Sequence, residues 1–133
     1  AAAERILPRT DTPGAIDVGV PAFIDLMVGE FMTAEEKRMF TDGLAEVEAA
    51  SQTAHRRAFA ALVATQQDAV LERIAEASQA KEKSFFQQLR ELTLLGYFTS
   101  EQVGKHVTHY DPIPGTYHGC VPLSEVGNRA WTR

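Results

Sequence analysis

Three histidines and one cysteine near the end of the chain are the side chains best suited to chemistry: His106, His109, His118 and Cys120. Three imidazoles and a thiolate would be a sufficient ligand set for zinc. Their spacing matches no established metal-binding loop, and the segment that carries them is rich in glycine and proline. Solvated histidines in a turn-rich arm are the plainer reading, so no metal ligand is assigned. Cys120 stands alone in the chain, which excludes an internal disulfide and a cysteine-based zinc cage.

Other catalytic patterns are missing. The sequence has no Cys-x-x-Cys-His for covalent haem and no His-Glu-x-x-His for a zinc hydrolase. It has no Gly-x-Gly-x-x-Gly or Gly-x-x-x-x-Gly-Lys loop for a dinucleotide or a nucleoside triphosphate, and no Gly-x-Ser-x-Gly elbow. Glu35 with Glu36, and Glu46 with Glu48, read as a solvated helix face rather than an acid/base pair. The chain is expected to be no enzyme and to hold no catalytic residue, metal or cofactor of its own. Thirteen Lys and Arg against 18 Asp and Glu give a net charge of −5, a poor basis for tracking a phosphate backbone, so no nucleic-acid partner is expected. No apolar run reaches the roughly 18 residues of a membrane-spanning helix.

The elements that would position any site are laid out by proline. All six prolines (Pro8, Pro13, Pro21, Pro112, Pro114 and Pro122) lie outside residues 22 to 111. At 133 residues the chain is a single-domain length. Within that domain, 1–21 is expected to be an N-terminal arm, 22–104 a helical body and 105–133 a C-terminal arm. Proline lacks an amide donor and biases its predecessor out of the helical region, so both arms are expected to be turns and extended chain.

Periodicity predicts the helices of the body. Val20, Phe23, Ile24, Met27, Val28 and Phe31 form one apolar stripe on a helix with Pro21 in its first turn. Thr33-Ala34-Glu35-Glu36 reads as a capping box for a second helix, which buries Phe40, Leu44 and Val47 and runs past Ala50 towards His55 or Phe59. Phe59, Leu62 and Val63 make a further apolar cluster. Thr65 to Asp68 is read as a break and new cap, followed by a short helix with Val70, Leu71 and Ile74. Residues 81–95 form the clearest helix, with Phe85, Phe86, Leu89, Leu92 and Leu95 on one face and Gly96 in the position of a left-handed C-cap. A last small helix starts at Thr99-Ser100-Glu101-Gln102. The fold class is therefore all-α, a small bundle of about five helices with extended arms containing Pro and Gly.

Aromatic residues are unevenly distributed. Six of the seven phenylalanines fall on the helical stripes, whereas Tyr97, Tyr110, Tyr117 and Trp131 all occur from residue 97 onward. Phenylalanine suits a dry core, and tyrosine and tryptophan carry a polar tip that suits interfaces. Two readings stand: the C-terminal arm folds back to seal the core, or it docks on another protein.

Three stretches resemble the gluconate 2-dehydrogenase subunit 3 family. The first is Arg5-Ile6-Leu7-Pro8-Arg9-Thr10-Asp11-Thr12-Pro13-Gly14-Ala15, followed by Gly19-Val20 and Phe23-Ile24-Asp25. The second runs from Phe86 to Glu101 and includes Leu92-Thr93-Leu94-Leu95-Gly96-Tyr97-Phe98. The third is Tyr110-Asp111-Pro112-Ile113-Pro114-Gly115-Thr116-Tyr117, then Gly119-Cys120-Val121-Pro122-Leu123. They occur in order and with sensible spacing across nearly the whole chain.

The resemblance implies a small, non-catalytic subunit that stabilises and helps export a large FAD-binding subunit of the glucose-methanol-choline type. The complex would be a bacterial sugar, sugar-acid or glycoside dehydrogenase, in some cases with a multihaem cytochrome c subunit. It also implies a periplasmic location, membrane association only through partners, and twin-arginine export. Arg56-Arg57 is expected mid-helix rather than in a signal region. Ala1-Ala2-Ala3 reads as the trace of a small-residue cleavage site or as a trimmed start. Interface residues expected under this reading are Arg9, Asp11, Tyr97, Tyr110, Ile113, Tyr117, Cys120 and Trp131. A leftover cysteine in an exported protein points to an intermolecular bridge, so Cys120 is a candidate for a disulfide to the large subunit, against the alternative of a free thiol packed as a small hydrophobe. The alternatives from other classes are an independent metal-dependent enzyme using His106, His109 and His118, or a small-molecule-binding helical bundle.

Overall fold

Thr33 begins the longest helix in the way its sequence dictates: its hydroxyl accepts from the amide of Glu36, and the Glu36 carboxylate accepts from the amide of Thr33 at 2.9 Å. A computed structural model describes residues 1–78, 84–108, 115–116 and 120–128 of the protein. Among these the fold is helical, with no strand. The elements are α1 (Ala2–Ile6), α2 (Val20–Leu26) running on as a π-helix (Met27–Phe31), α3 (Ala34–His55), α4 (Ala64–Ser78), α5 (Phe85–Phe98) and α6 (Glu101–His106). A 3₁₀ turn at Phe59–Ala61 joins α3 to α4, and another lies at Leu123–Val126. The all-α expectation holds.

The core is built where α3, α4 and α5 pack on one another, with α2 laid on α5 and α1 across α4 and α5. Phe40 and Phe85 meet edge to face, with ring centroids 5.2 Å apart. The approach of α5 to α3 depends on Gly43, where a Cβ would stand only 2.0 Å from Phe85 Cγ. Three buried polar side chains are satisfied by nearby carbonyls. Ser51 donates to the carbonyl of Arg57, Thr93 to that of Leu89, and Gln67 to that of Phe59.

Gly96 is not the C-cap that its place after Leu95 implied. It lies inside α5, which runs on to Phe98 with Thr99 as its C-cap. Its lack of a side chain admits the ring of Phe23, whose Cδ1 would lie 2.6 Å from an added Cβ. The glycine is there for the α2–α5 crossing, not for a turn.

The N-terminal arm also differs from expectation. Residues ahead of Pro8 include good helix formers and no proline, and they form α1. Ala3, Ala15 and Val20 are buried, so the arm is a strap over the bundle rather than a loose lead-in. A bidentate pair fixes it: Arg5 Nε and a terminal guanidinium nitrogen donate to the two Asp68 oxygens at 2.6 and 2.8 Å.

Further differences concern faces and ends. Thr65 to Asp68 does not break the chain but forms the first turns of α4, with Gln67 buried. Arg56 is the left-handed C-cap of α3, with φ 53°, and so closes the helix rather than lying within it. Ser100, one residue after the expected Thr99, caps α6. Leu44, Val63, Leu95 and Phe31 are exposed. Residues 79–83, including the expected helix start at Lys81, lie outside the described residues; α5 is capped by Ser84, which accepts from the amide of Gln87.

Candidate partner interface

Of the four paired carboxylates of α3, Glu36 and Glu48 hold backbone. Glu36 completes the capping box of α3. Glu48 accepts from the amide of Phe59 at 3.0 Å and from the side chain of Gln52 at 3.1 Å. The Phe59 hydrogen bond, aided by Gln52, holds the Glu48 carboxyl below the usual carboxylate range. Both groups therefore serve turns and helix ends. Among the described residues no group of three His, Cys, Asp or Glu is placed to hold a metal ion. His106 is exposed in the last turn of α6 and Cys120 is an exposed free cysteine. His109 and His118 lie outside the described residues.

Of the eight sequence-based interface residues, four (Tyr110, Ile113, Tyr117 and Trp131) also lie outside them. Arg9 and Asp11 are exposed in the strap. Arg9 Nε donates to Asp17 at 2.7 Å, and Asp17 also accepts from the Gly14 amide at 2.8 Å. These bonds, the Arg9 guanidinium foremost, hold the Asp17 carboxyl below its ordinary range. Glu4 accepts from the amides of Arg9 and Ile16, so two acids set the course of the loop between α1 and α2. Gly14 is required there, because a Cβ would lie 2.8 Å from the Arg9 backbone nitrogen as well as against the Glu4 carboxylate.

Tyr97 is placed otherwise than on a partner-facing surface. Its ring is only 5% exposed, and its hydroxyl donates to the Pro13 carbonyl at 2.8 Å. Both its apolar body and its polar tip are satisfied within this chain. The sequence stretch around it reads as an interface because tyrosine commonly has that role, but here it anchors the strap to α5.

The surface that sequence reasoning missed is apolar and helical. Phe31 is 70% exposed and Leu26 is 53% exposed, and on α5 Leu95 and Phe98 also face outward. An α-helix would place Phe31 on the buried stripe, seven residues from Ile24 and four from Met27. The π-helix closes instead through the Met32 amide to the Met27 carbonyl, five residues back. Phe31 stands at the end of this turn and is exposed rather than packed with the buried stripe. On α5 the signal was available in part: Leu94, Leu95 and Phe98 add apolar positions beyond the buried face.

The family model described as Gluconate 2-dehydrogenase subunit 3 matches residues 1–115. The chain belongs to this family. No curated protein and no solved structure matches it. As a gluconate 2-dehydrogenase subunit 3 chain, it is a small subunit of a multi-subunit dehydrogenase complex. The family match takes in the strap and all six α-helices and ends before Cys120. Among the described residues of this gluconate 2-dehydrogenase subunit 3 protein, no helix is long and apolar enough to cross a membrane.

Proposed function

We propose that this chain is the non-catalytic small subunit of a bacterial FAD-dependent sugar, sugar-acid or glycoside dehydrogenase, and that it stabilises the catalytic subunit and assists its export. The observation that carries this reading is the family match over residues 1–115. The exposed apolar side chains of the π-helix and of α5 give it contact points for a partner. FAD resides in the large subunit, of the glucose-methanol-choline type, and a cytochrome c subunit carries haem where one is present. The complex works in the periplasm, reached by twin-arginine export, and any membrane association comes through its partners.

The interface uses the strap residues Arg9 and Asp11 and the C-terminal residues Tyr110, Ile113, Tyr117 and Trp131. Cys120 forms a disulfide to the large subunit. A permanent interface of this kind buries more than ~2,000 Å² in total.

Purification of the chain alone and together with its flavoprotein subunit tests the reading. Alone, it has no flavin absorbance and reduces no dye in the presence of sugars. Together, the two chains co-purify, and the yield of flavin-loaded large subunit rises. Flavin or dye-reducing activity in the isolated chain, or an unchanged yield of loaded flavoprotein without it, would overturn the proposal.

A further inference from the structure

Phe31 is displayed at the end of a distorted helix. The Met27–Phe31 turn departs from α geometry, and its last residue is an aromatic ring in water where the sequence period would have buried it. The turn is held in place. The Lys37 ammonium donates to the Gly29 carbonyl, Met32 donates back to Met27 at 3.2 Å, and the Thr33 capping box follows at once. Leu26, five residues before Phe31 and 53% exposed, is a second apolar side chain open to solvent on the same segment. A π turn is often found at a functional site, and an aromatic side chain with two torsions loses little freedom when it is buried by a partner.

Charge around this face selects its occupant. Asp25 and Glu30 are exposed on the same segment, and Glu35 is exposed just beyond it. No lysine or arginine occurs between Arg9 and Lys37, and Lys37, whose ammonium donates to the Gly29 carbonyl, offsets one of these three carboxylates and leaves the segment net acidic. The face is therefore apolar with an acidic rim. Two copies of this chain meeting there would set carboxylates against carboxylates, which disfavours self-association. A complementary surface is an apolar pocket edged by arginine or lysine. We infer that Phe31 is the anchor that enters such a pocket on the dehydrogenase subunit. This rests on the subunit function proposed above and specifies its docking surface.

The test is displacement, with reductant present throughout to open any Cys120 disulfide, of labelled wild-type chain from the purified complex by unlabelled variants. Phe31→Ala is expected to compete at least about thirtyfold less well, the loss typical of a central aromatic anchor. The double charge reversal Asp25→Lys with Glu30→Lys is expected to weaken binding with Phe31 intact, and to lessen its dependence on salt. Val63→Ala, at another exposed apolar position, should compete like wild type. Thermal melts should be unchanged for all three variants, since each altered side chain is exposed. Should Phe31→Ala melt early, the charge reversal decides. Competition by Phe31→Ala within about threefold of wild type, or by the charge reversal at full strength, overturns the anchor but not the subunit function. A wild-type chain that brings down no dehydrogenase subunit overturns both. Self-association that Phe31→Ala abolishes overturns the choice of a basic-edged partner.

Discussion

The Tyr97 hydroxyl donates a 2.8 Å hydrogen bond to the carbonyl of Pro13, joining positions 84 residues apart. The tyrosine ring lies in the core and its tip meets the strap that crosses the bundle. Tyr97→Phe keeps the ring and removes the donor, leaving the Pro13 carbonyl without this partner. Urea denaturation should show a loss of about 0.5–1.5 kcal/mol, the usual net worth of one such bond. No change would mean that the strap is seated without it.

Gly43→Ala offers a test of packing against propensity. In a helix interior alanine is ordinarily better than glycine by up to ~1 kcal/mol. At this position a Cβ would stand 2.0 Å from Phe85 Cγ and 2.4 Å from Phe85 Cβ, so α5 must shift. The substitution is expected to destabilise by about 1–3 kcal/mol. Gly29→Ala, with nothing within 4 Å of the added carbon, should change stability by less than about 1 kcal/mol. A stabilised Gly43→Ala protein would contradict the close α3–α5 contact.

The Arg5–Asp68 pair predicts a pH dependence. The Arg5 hydrogen bond holds the Asp68 carboxyl below its ordinary value, partly offset by desolvation. A depressed folded pKa means that the pair contributes fully above the unfolded aspartate value of about 3.9 and is lost as pH falls through the folded value. Asp68→Asn should therefore be less stable than wild type at pH 7. The gap in urea midpoints should close below about pH 4. A gap that is constant with pH would show that the charge contributes nothing and that shape alone matters.

Cys120 gives a covalent prediction. Under non-reducing, denaturing electrophoresis of the complex, the 14.6 kDa chain should run with the large subunit. Reductant should release it, and Cys120→Ser should prevent the adduct. Free migration of the wild-type chain without reductant rules out the disulfide.

Local signals carried much of the fold. The Thr33 capping box, Pro21 in the first turn of α2 and the Phe85–Leu89–Leu92 face could all be read directly, because each depends on neighbours within a few positions. Gly43 and Gly96 could not be read so: each is explained by a ring from another helix, and sequence spacing is blind to that ring. Phe31 failed for a different reason. Its period was read as α, and nothing in Met27-Val28-Gly29-Glu30-Phe31 announces a π turn. Tyr97 was legible as a residue with an apolar body and a polar tip, but the partner of that tip is a carbonyl 84 positions away. The family resemblance was legible in ordered motifs, and its first two stretches turn out to be the strap and the helix on which it rests.

A strap that crosses α4 and α5 also fixes an order of events in time. Ala3 and Val20, on α1 and α2, leave the ribosome before the helices that cover them, which end at Ser78 and Phe98. At translation rates of about 5–20 residues per second, these apolar side chains wait on the order of seconds for that cover. The strap is made before the helices it rests on and is seated only after them.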